Sequence, residues 1–219
     1  MPVPSRRAAA ALLLSLEPPA WQLRHARAVA EIAGWLAPRC AARGAAVDRA
    51  LVEAAALLHD IDKAIPATGP AADREANPAV APAAHPAALA HGAGSAAWLA
   101  ARGMAELAPA VAAHPVTRLL EPGADTWLTS APIEELLVSY ADKRAGQRLE
   151  SLEARFAGWR RRYPGGWSAA DEALARARAA ALEAAVCGHA GVAPGAVRRL
   201  AWTGPALRAA RIGAAERAA

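Results

Sequence analysis

The chain has 219 residues and a mass of 22.5 kDa, which suits one large domain or a domain with an appendage and argues against a second full domain. Hydrophobic residues make up 55% of it, and the abundance of Ala and Leu over β-branched residues predicts an all-α fold. The net charge of +5 permits phosphate-bearing partners without selecting among them, and the two cysteines form no CxxC pair, which fits reduced thiols in a cytoplasmic protein.

Prolines separate the first two predicted helices. An apolar run over 8–16 loosely resembles the opening of a secretory signal, but 17–19 follow as Glu-Pro-Pro, without a small-residue cleavage pattern. We therefore interpret the run as an amphipathic helix. A second helix over about 20–37 has apolar residues at spacings of three and four, and this periodicity places His25 on the face toward the core.

A third predicted helix brings three polar side chains together. Asp48 is a typical N-cap, and the apolar positions after it lead to His59 and Asp60. If the last turn persists, Lys63 lies one turn beyond His59, so that all three side chains point into one pocket. The Pro- and Ala-rich stretch over 65–84 has little periodicity, and we interpret it as a long loop that could cover this pocket.

Three further ligand-type residues interrupt apolar helical seams later in the chain. His91 lies on the stripe of one predicted helix, and His114 lies at the end of a short second one. A long helix is predicted to begin around Pro132, and its apolar face continues to Phe156. Asp142 lies on this face where a leucine would be expected.

The strong break at 163–166, Tyr-Pro-Gly-Gly, precedes a predicted helical extension. Ser168 begins a capping box for a helix that reaches about Val186. We therefore divide the chain into a domain over 1–165 and an extension over 166–219, for which packing on the same core, dimerisation and an Arg-rich surface appendage are the alternatives.

Six of these residues are of the types that bind transition metals. Each is an imidazole or a carboxylate at a point where an apolar stripe would continue, and such a group costs free energy unless it finds a partner. The six are His25, His59, Asp60, His91, His114 and Asp142. A set without thiolates favours a catalytic site over structural zinc, with iron or manganese first and zinc, cobalt, nickel or magnesium as alternatives. Six ligands are more than one tetrahedral ion needs, so the set is compatible with two ions, and Asp60 would then bridge them. A single ion is the alternative.

Such a centre suits the hydrolysis of phosphate esters or anhydrides, because bound ions lower the pKa of water and neutralise charge on the phosphoryl group. Asp60 and Lys63 are the candidate catalytic residues. Lys63, Arg144 and Arg148 are candidates for binding the substrate phosphates. For the two arginines, a solvated helix face is an equal alternative.

The residues around the histidine–aspartate pair carry a resemblance to a known family. His25, the segment Leu-Leu-His-Asp-Ile-Asp-Lys over 57–63 and Asp142 resemble the H…HD…D signature of the HD-domain metal-dependent phosphohydrolases. Asp62 stands where the HDIG variant of that signature has glycine. The resemblance implies a helical bundle that holds a metal centre.

A second set of residues resembles one bacterial branch of that superfamily, which hydrolyses diadenosine tetraphosphate symmetrically. The resemblance lies in Leu-Ala-His-Gly over 89–92, in His114 and in Tyr-Ala-Asp-Lys over 140–143. It implies that all six candidate ligands bind an often iron-containing centre, with Lys63 and Arg148 near the substrate phosphates. The chain departs from the branch after His114, where Pro-Val-Thr replaces the usual Thr-Thr-Gly.

From these residues we expect a metal-dependent phosphohydrolase that acts on a nucleotide, with a dinucleoside polyphosphate such as diadenosine tetraphosphate as the leading substrate. Alternatives are a nucleoside monophosphate phosphatase or phosphodiesterase of the same superfamily and a non-catalytic nucleotide-binding sensor. A basic RNA-binding protein is a further alternative, but no RNA-binding motif is apparent, so we expect no nucleic-acid partner.

We expect a small-molecule nucleotide as the partner. We expect no membrane partner, because prolines and glycines interrupt the uncharged stretch over 76–101, which is otherwise long enough to span a membrane. The expected location is the cytoplasm. The sequence leaves the oligomeric state open, a homodimer included.

Overall fold

Helices make up the regular secondary structure of the residues that the computed structural model describes, 3–64 and 91–218. The α-helices of these residues are α1 Arg6–Ser15, α2 Ala20–Ala42, α3 Arg49–Leu58, α4 Ala93–Ala100, α5 Ala108–Ala112, α6 Ala124–Ser130, α7 Ile133–Lys143, α8 Leu152–Arg162, α9 Ala169–Ala190 and α10 Thr203–Ala218. Short 3-10 helices lie at Ile61–Lys63, Ala105–Leu107, Val116–Leu120 and Pro194–Ala196. The prediction of an all-α fold is confirmed.

Side-chain caps begin two of the helices at the predicted positions. Asp48 accepts a hydrogen bond from the backbone N–H of Leu51 at 3.0 Å, which caps α3. Ser168 Oγ accepts from the N–H of Asp171 at 3.0 Å and donates to its carboxylate at 2.7 Å, which caps α9. Both predicted caps are confirmed, and each satisfies a backbone donor that the first turn leaves unpaired.

The second helix is longer than predicted and contains a proline. It continues to Ala42 through Pro38, which lacks the N–H for an internal hydrogen bond. Leu36, Ala37 and Cys40 on either side of the proline are fully buried. Burial of this face therefore outweighs the lost hydrogen bond.

The prediction of one helix that continues to Phe156 is wrong, because the chain breaks after α7 and resumes in α8. Ala145 and Leu149 pair in a single antiparallel bridge, which reverses the chain direction. Gly146 lies inside the reversal, where its low helix propensity favours a turn. The break leaves Asp142 in the last turn of α7.

The core is built around α2, which packs against α3, α7, α9 and α10. The C-terminal α10 returns to pack against α1, at the other end of the sequence. One hydrophobic cluster includes Leu36, Leu137 and Leu182, so residues on both sides of the predicted boundary share a core. The division at 165/166 stays a prediction.

The loop predicted over 65–84 lies outside the described residues.

No helix among those described combines the length and the apolar character that a membrane span requires.

Candidate metal centre

Six side chains that are far apart in the sequence converge inside the helical bundle. They are His25, His59, Asp60, His91, His114 and Asp142. His25 projects from the second turn of α2 and Asp142 from the last turn of α7, whereas the other four lie where helices begin or end. The fold thus brings together every residue that the sequence predicts as a ligand.

The end of α3 presents the adjacent histidine and aspartate. The α-helix stops at Leu58, and a 3-10 turn over Ile61–Lys63 follows, so the backbone changes direction at His59 and Asp60. Gln22 on α2 donates a hydrogen bond from Nε2 to the backbone carbonyl of Asp60 at 2.7 Å. This contact holds the turn against α2, three residues before His25.

A glycine allows His91 and His114 to approach one another. Gly92 has φ +82°, a conformation that side chains with a Cβ rarely adopt. A Cβ at this position would lie 2.7 Å from Cγ of Pro115 and 3.2 Å from Cε1 of His114. Glycine at position 92 therefore permits both the turn into α4 and the close packing beside His114.

Asp60 lies between two pairs of histidines. Its Oδ1 atom is 3.0 Å from Nε2 of His91 and 3.2 Å from Nε2 of His114. Its Oδ2 atom is 3.5 Å from Nε2 of both His25 and His59. With one oxygen toward each pair, the carboxylate has the arrangement of a bridge between two ions.

The carboxylate of Asp142 lies beside the pair formed by His25 and His59. Its Oδ1 atom lies 3.2 Å from Nε2 of His25 and 3.8 Å from Nε2 of His59. Three overlapping groups of donor atoms, each within 4.8 Å, could hold a metal ion: His25–His59–Asp142, His59–Asp60–His114 and Asp60–Asp62–His91. The groups overlap at His59 and Asp60, so the six side chains form one continuous set of donors that could hold metal.

Backbone carbonyls fix the orientation of three of the imidazoles. The Nδ1 atom of His25 lies 2.8 Å from the carbonyl oxygen of Gly146. The Nδ1 atoms of His59 and His114 lie 2.8 and 2.6 Å from the carbonyl oxygens of the residues three positions earlier. A carbonyl oxygen can only accept, so each Nδ1 carries a proton, and whenever the ring is neutral its Nε2 is the unprotonated nitrogen.

In a neutral ring the Nε2 lone pair faces the neighbouring imidazole, and such lone pairs fit a cation and not one another. Nε2 of His25 lies 3.2 Å from Nε2 of His59, and the Nε2 atoms of His91 and His114 are also 3.2 Å apart. Two lone pairs at this distance repel unless a proton or a cation lies between them. Asp60 Oδ1 is buried without a hydrogen-bond partner, although two imidazoles approach it. Imidazole nitrogens and carboxylate oxygens without a thiolate suit iron, manganese, zinc, cobalt or nickel.

The ionisation of the cluster is set by burial and by its carboxylates. Burial, which outweighs the attraction of Asp60, lowers the pKa of His59 to about 3, so this ring is neutral at neutral pH. Burial also lowers the pKa of His91, but the carboxylates of Asp60 and Asp62, each 3.0 Å from one of its ring nitrogens, raise it by more, to about 9. Burial raises the pKa of Asp60, yet His59 and Lys63 hold it well below its usual range. A proton on His91 therefore competes with any cation.

Lys63 lies at the open side of the cluster. Its Nζ atom is 2.7 Å from Oδ2 of Asp60, and its side chain is 32% exposed. The His91 side chain is 26% exposed, whereas His59 and His114 are buried. Among the described residues of the cluster, Lys63 and His91 are thus the ones most accessible to solvent.

The two candidate phosphate-binding arginines lie in the turn that follows α7. Arg144 is buried, and its guanidinium pairs with Glu183 Oε1 at 2.7 Å and contacts the hydroxyl of Tyr140. These contacts tie the turn after α7 to α9 and do not support a role in binding substrate. Arg148 is exposed in the same turn. Its substrate role stays a prediction.

Sequence reasoning missed three polar residues that support the cluster. Gln22 holds the backbone at Asp60, and Asp62 accepts a hydrogen bond from His91. The fully buried Lys143 donates to the backbone carbonyl of His114 at 2.8 Å. Gln22 could have been found from the sequence, because it lies three residues before His25 on one face of a helix.

Comparison with known proteins gives one match. The family model described as the HD domain matches residues 23–146, which is more than half of the chain. This range contains all six residues of the cluster and Lys63. No curated protein and no solved structure matches the chain.

Proposed function

This chain belongs to the HD-domain family, whose members are typically metal-dependent phosphohydrolases, and from that membership we propose that it hydrolyses a nucleotide. The substrate class to test first is a dinucleoside polyphosphate such as diadenosine tetraphosphate. The resemblance of residues 89–92 and 140–143 to the branch with that activity supports this choice.

The convergence of four imidazole Nε2 atoms on the two oxygens of Asp60 is the observation that carries the proposal. His25, His59, Asp60, His91, His114 and Asp142 would hold the metal. Bound there, one or two divalent ions supply positive charge that acidifies water and offsets the charge of a phosphoryl group.

The protein's own groups supply orientation and a route for substrate. The hydrogen bonds at Nδ1 fix three rings before substrate arrives, which reduces the reorganisation needed during reaction. The Lys63 ammonium lies on the solvent side of Asp60, where it contacts an anionic phosphate oxygen as substrate enters. We therefore assign Lys63 to phosphate binding, and Asp60 would hold the metal between the two pairs of histidines.

A substrate panel tests the reaction. The full chain, loaded with Mn²⁺ or Fe²⁺, is incubated with diadenosine tetraphosphate, with adenosine monophosphate and with bis-p-nitrophenyl phosphate, and products are separated by chromatography. Symmetric cleavage predicts ADP as the product of the first substrate. Phosphate from the monophosphate without cleavage of the tetraphosphate would exclude a dinucleoside polyphosphate hydrolase and favour a nucleotidase.

Asp60→Asn is the matched loss-of-function variant, and Asp125→Asn is its control. Asp125 is an exposed carboxylate on α6 that pairs with Arg178, and neither belongs to the cluster. We expect activity to vanish in Asp60→Asn and to persist in Asp125→Asn. Equal activity in both variants would contradict the assignment of the site.

A further inference from the structure

His91 differs from the other three histidines in what its Nδ1 atom contacts. The partner is a carboxylate, Oδ2 of Asp62 at 3.0 Å, where the other rings have backbone carbonyls. A charged acceptor makes a stronger hydrogen bond than a neutral carbonyl and raises the basicity of the ring. The contact spans 29 residues of sequence, so it is a product of the fold.

Asp62 is itself held in place by the start of α4. Its Oδ2 atom also accepts from the backbone N–H of Gly92 at 3.2 Å. Its own backbone N–H donates to Oγ of Ser95 at 3.1 Å. The 3-10 turn after the histidine–aspartate pair and the N-terminal end of α4 are thus joined through one residue.

We propose that Asp62 is a positioning residue for the metal centre, which keeps the proton of His91 on Nδ1 and presents Nε2 to the cation. This inference rests on the proposed metal site. His91 needs such a support more than its neighbours do, because its side chain is 26% exposed whereas those of His59 and His114 are buried. Packing alone does not fix a ring at the solvent side of a cluster.

The alternative is that Asp62 binds a cation directly. Donor atoms of Asp60, Asp62 and His91 lie within 4.8 Å of one another, and the second oxygen of Asp62 is buried without a hydrogen-bond partner. The two roles differ in one respect. A positioning carboxylate acts only through His91, whereas a ligand contributes without it.

A double-mutant cycle separates the two roles, with Mn²⁺ affinity of the full chain measured by titration calorimetry. Removing a carboxylate that orients a metal-bound histidine typically weakens metal binding about 10- to 100-fold, and we expect that loss for Asp62→Ala. In the His91→Ala background, the same substitution is expected to change affinity less than about twofold, since coupled pairs are non-additive. Asp125→Ala is the matched control and keeps the wild-type affinity.

Asp62→Asn serves as the conservative variant. Its side-chain oxygen can still accept from His91 and Gly92, so we expect a smaller loss than for Asp62→Ala, and the cycle can be completed with it if Asp62→Ala does not fold. Unchanged affinity in both Asp62 variants would overturn the proposal. An equal loss with and without His91 would also overturn it, in favour of direct ligation. Absence of Mn²⁺ binding by the wild type would overturn the proposed site as well, whereas binding without hydrolysis would affect only the proposed function.

Discussion

At the scale of single residues, the chemistry of the cluster depends on which nitrogen of each imidazole carries a proton. Carbonyl oxygens at Nδ1 of His25, His59 and His114 leave three Nε2 atoms free for a cation, and Asp62 does the same for His91. Asp60 then supplies negative charge to both pairs of rings. The residues that the sequence predicts as ligands are therefore the inner part of a larger set of hydrogen bonds.

Metal binding is predicted to strengthen with increasing pH. Without a cation, the carboxylates Asp60 and Asp62 raise the pKa of His91 to about 9, although burial lowers it, so this ring is protonated below that pH and binding must release the proton. For one displaced proton, affinity rises by up to about tenfold for each pH unit. Titrations with Mn²⁺ between about pH 6 and 8.5 measure the slope. A constant affinity over this range would contradict the predicted competition.

At the scale of helices and turns, two contacts hold the elements that carry the ligands. The first is the partly buried ion pair of Arg144 with Glu183, which ties the turn after α7 to α9. Arg144→Ala leaves the Glu183 carboxylate without its charged partner, although the Tyr140 hydroxyl still donates to it, and we expect a loss of about 2 kcal/mol in the free energy of unfolding. Urea denaturation checks this. Unchanged stability together with a raised KM for the nucleotide would instead restore the predicted role of Arg144 in binding substrate.

The second contact is the close approach of Gly92 to His114 and Pro115. Gly92→Ala combines backbone strain of about 1–3 kcal/mol with a clash against Pro115, and we expect both stability and Mn²⁺ affinity to fall. Gly123→Ala is the matched control, because Gly123 has φ +81° but a Cβ added there would meet no atom within 4 Å. It should lose stability through strain alone and bind Mn²⁺ normally. Equal Mn²⁺ affinity in the two variants would contradict the role given to Gly92.

How far the sequence predicts these elements depends on how local their causes are. The caps of α3 and α9 could be predicted because each depends on residues only three positions apart, and both are confirmed. The position of Asp142 on an apolar seam is also visible in the sequence. The break after α7 is not visible in the sequence, because the apolar residues keep their helical spacing through the reversal at Ala145–Leu149 and beyond it. Contacts such as Asp62 with His91 leave no periodic signal and appear only in the fold.

At the scale of the whole molecule, the C-terminal part packs on the same core as the cluster of histidines and aspartates. Trp202 is buried and donates from its indole nitrogen to the carbonyl of Ala30 on α2, at 3.1 Å. Arg199 pairs with Glu31 at 2.7 Å, on the same helix as His25. The extension thus stabilises α2. Loss of these contacts is expected to destabilise the helix that carries the predicted ligand His25.

Trp202→Ala is predicted to destabilise the whole protein. Removal of a buried tryptophan typically costs about 3–5 kcal/mol, and here the cavity would open against Gly34 on α2. Denaturation followed by circular dichroism should show one transition at lower urea concentration. Two separate transitions, with only the smaller one affected, would indicate an independent C-terminal unit. Trp21→Ala, at a tryptophan that is 44% exposed, is the control and should cost much less.

The metal content of the purified protein tests the proposed centre most directly. Elemental analysis of the full chain is expected to find one or two equivalents of a transition metal in the wild type and in Asp125→Asn, and to find it lost from Asp60→Asn. The same metal content in Asp60→Asn as in the wild type, or no metal bound by the wild type after incubation with Fe²⁺, Mn²⁺ or Zn²⁺, would contradict a metal centre at Asp60.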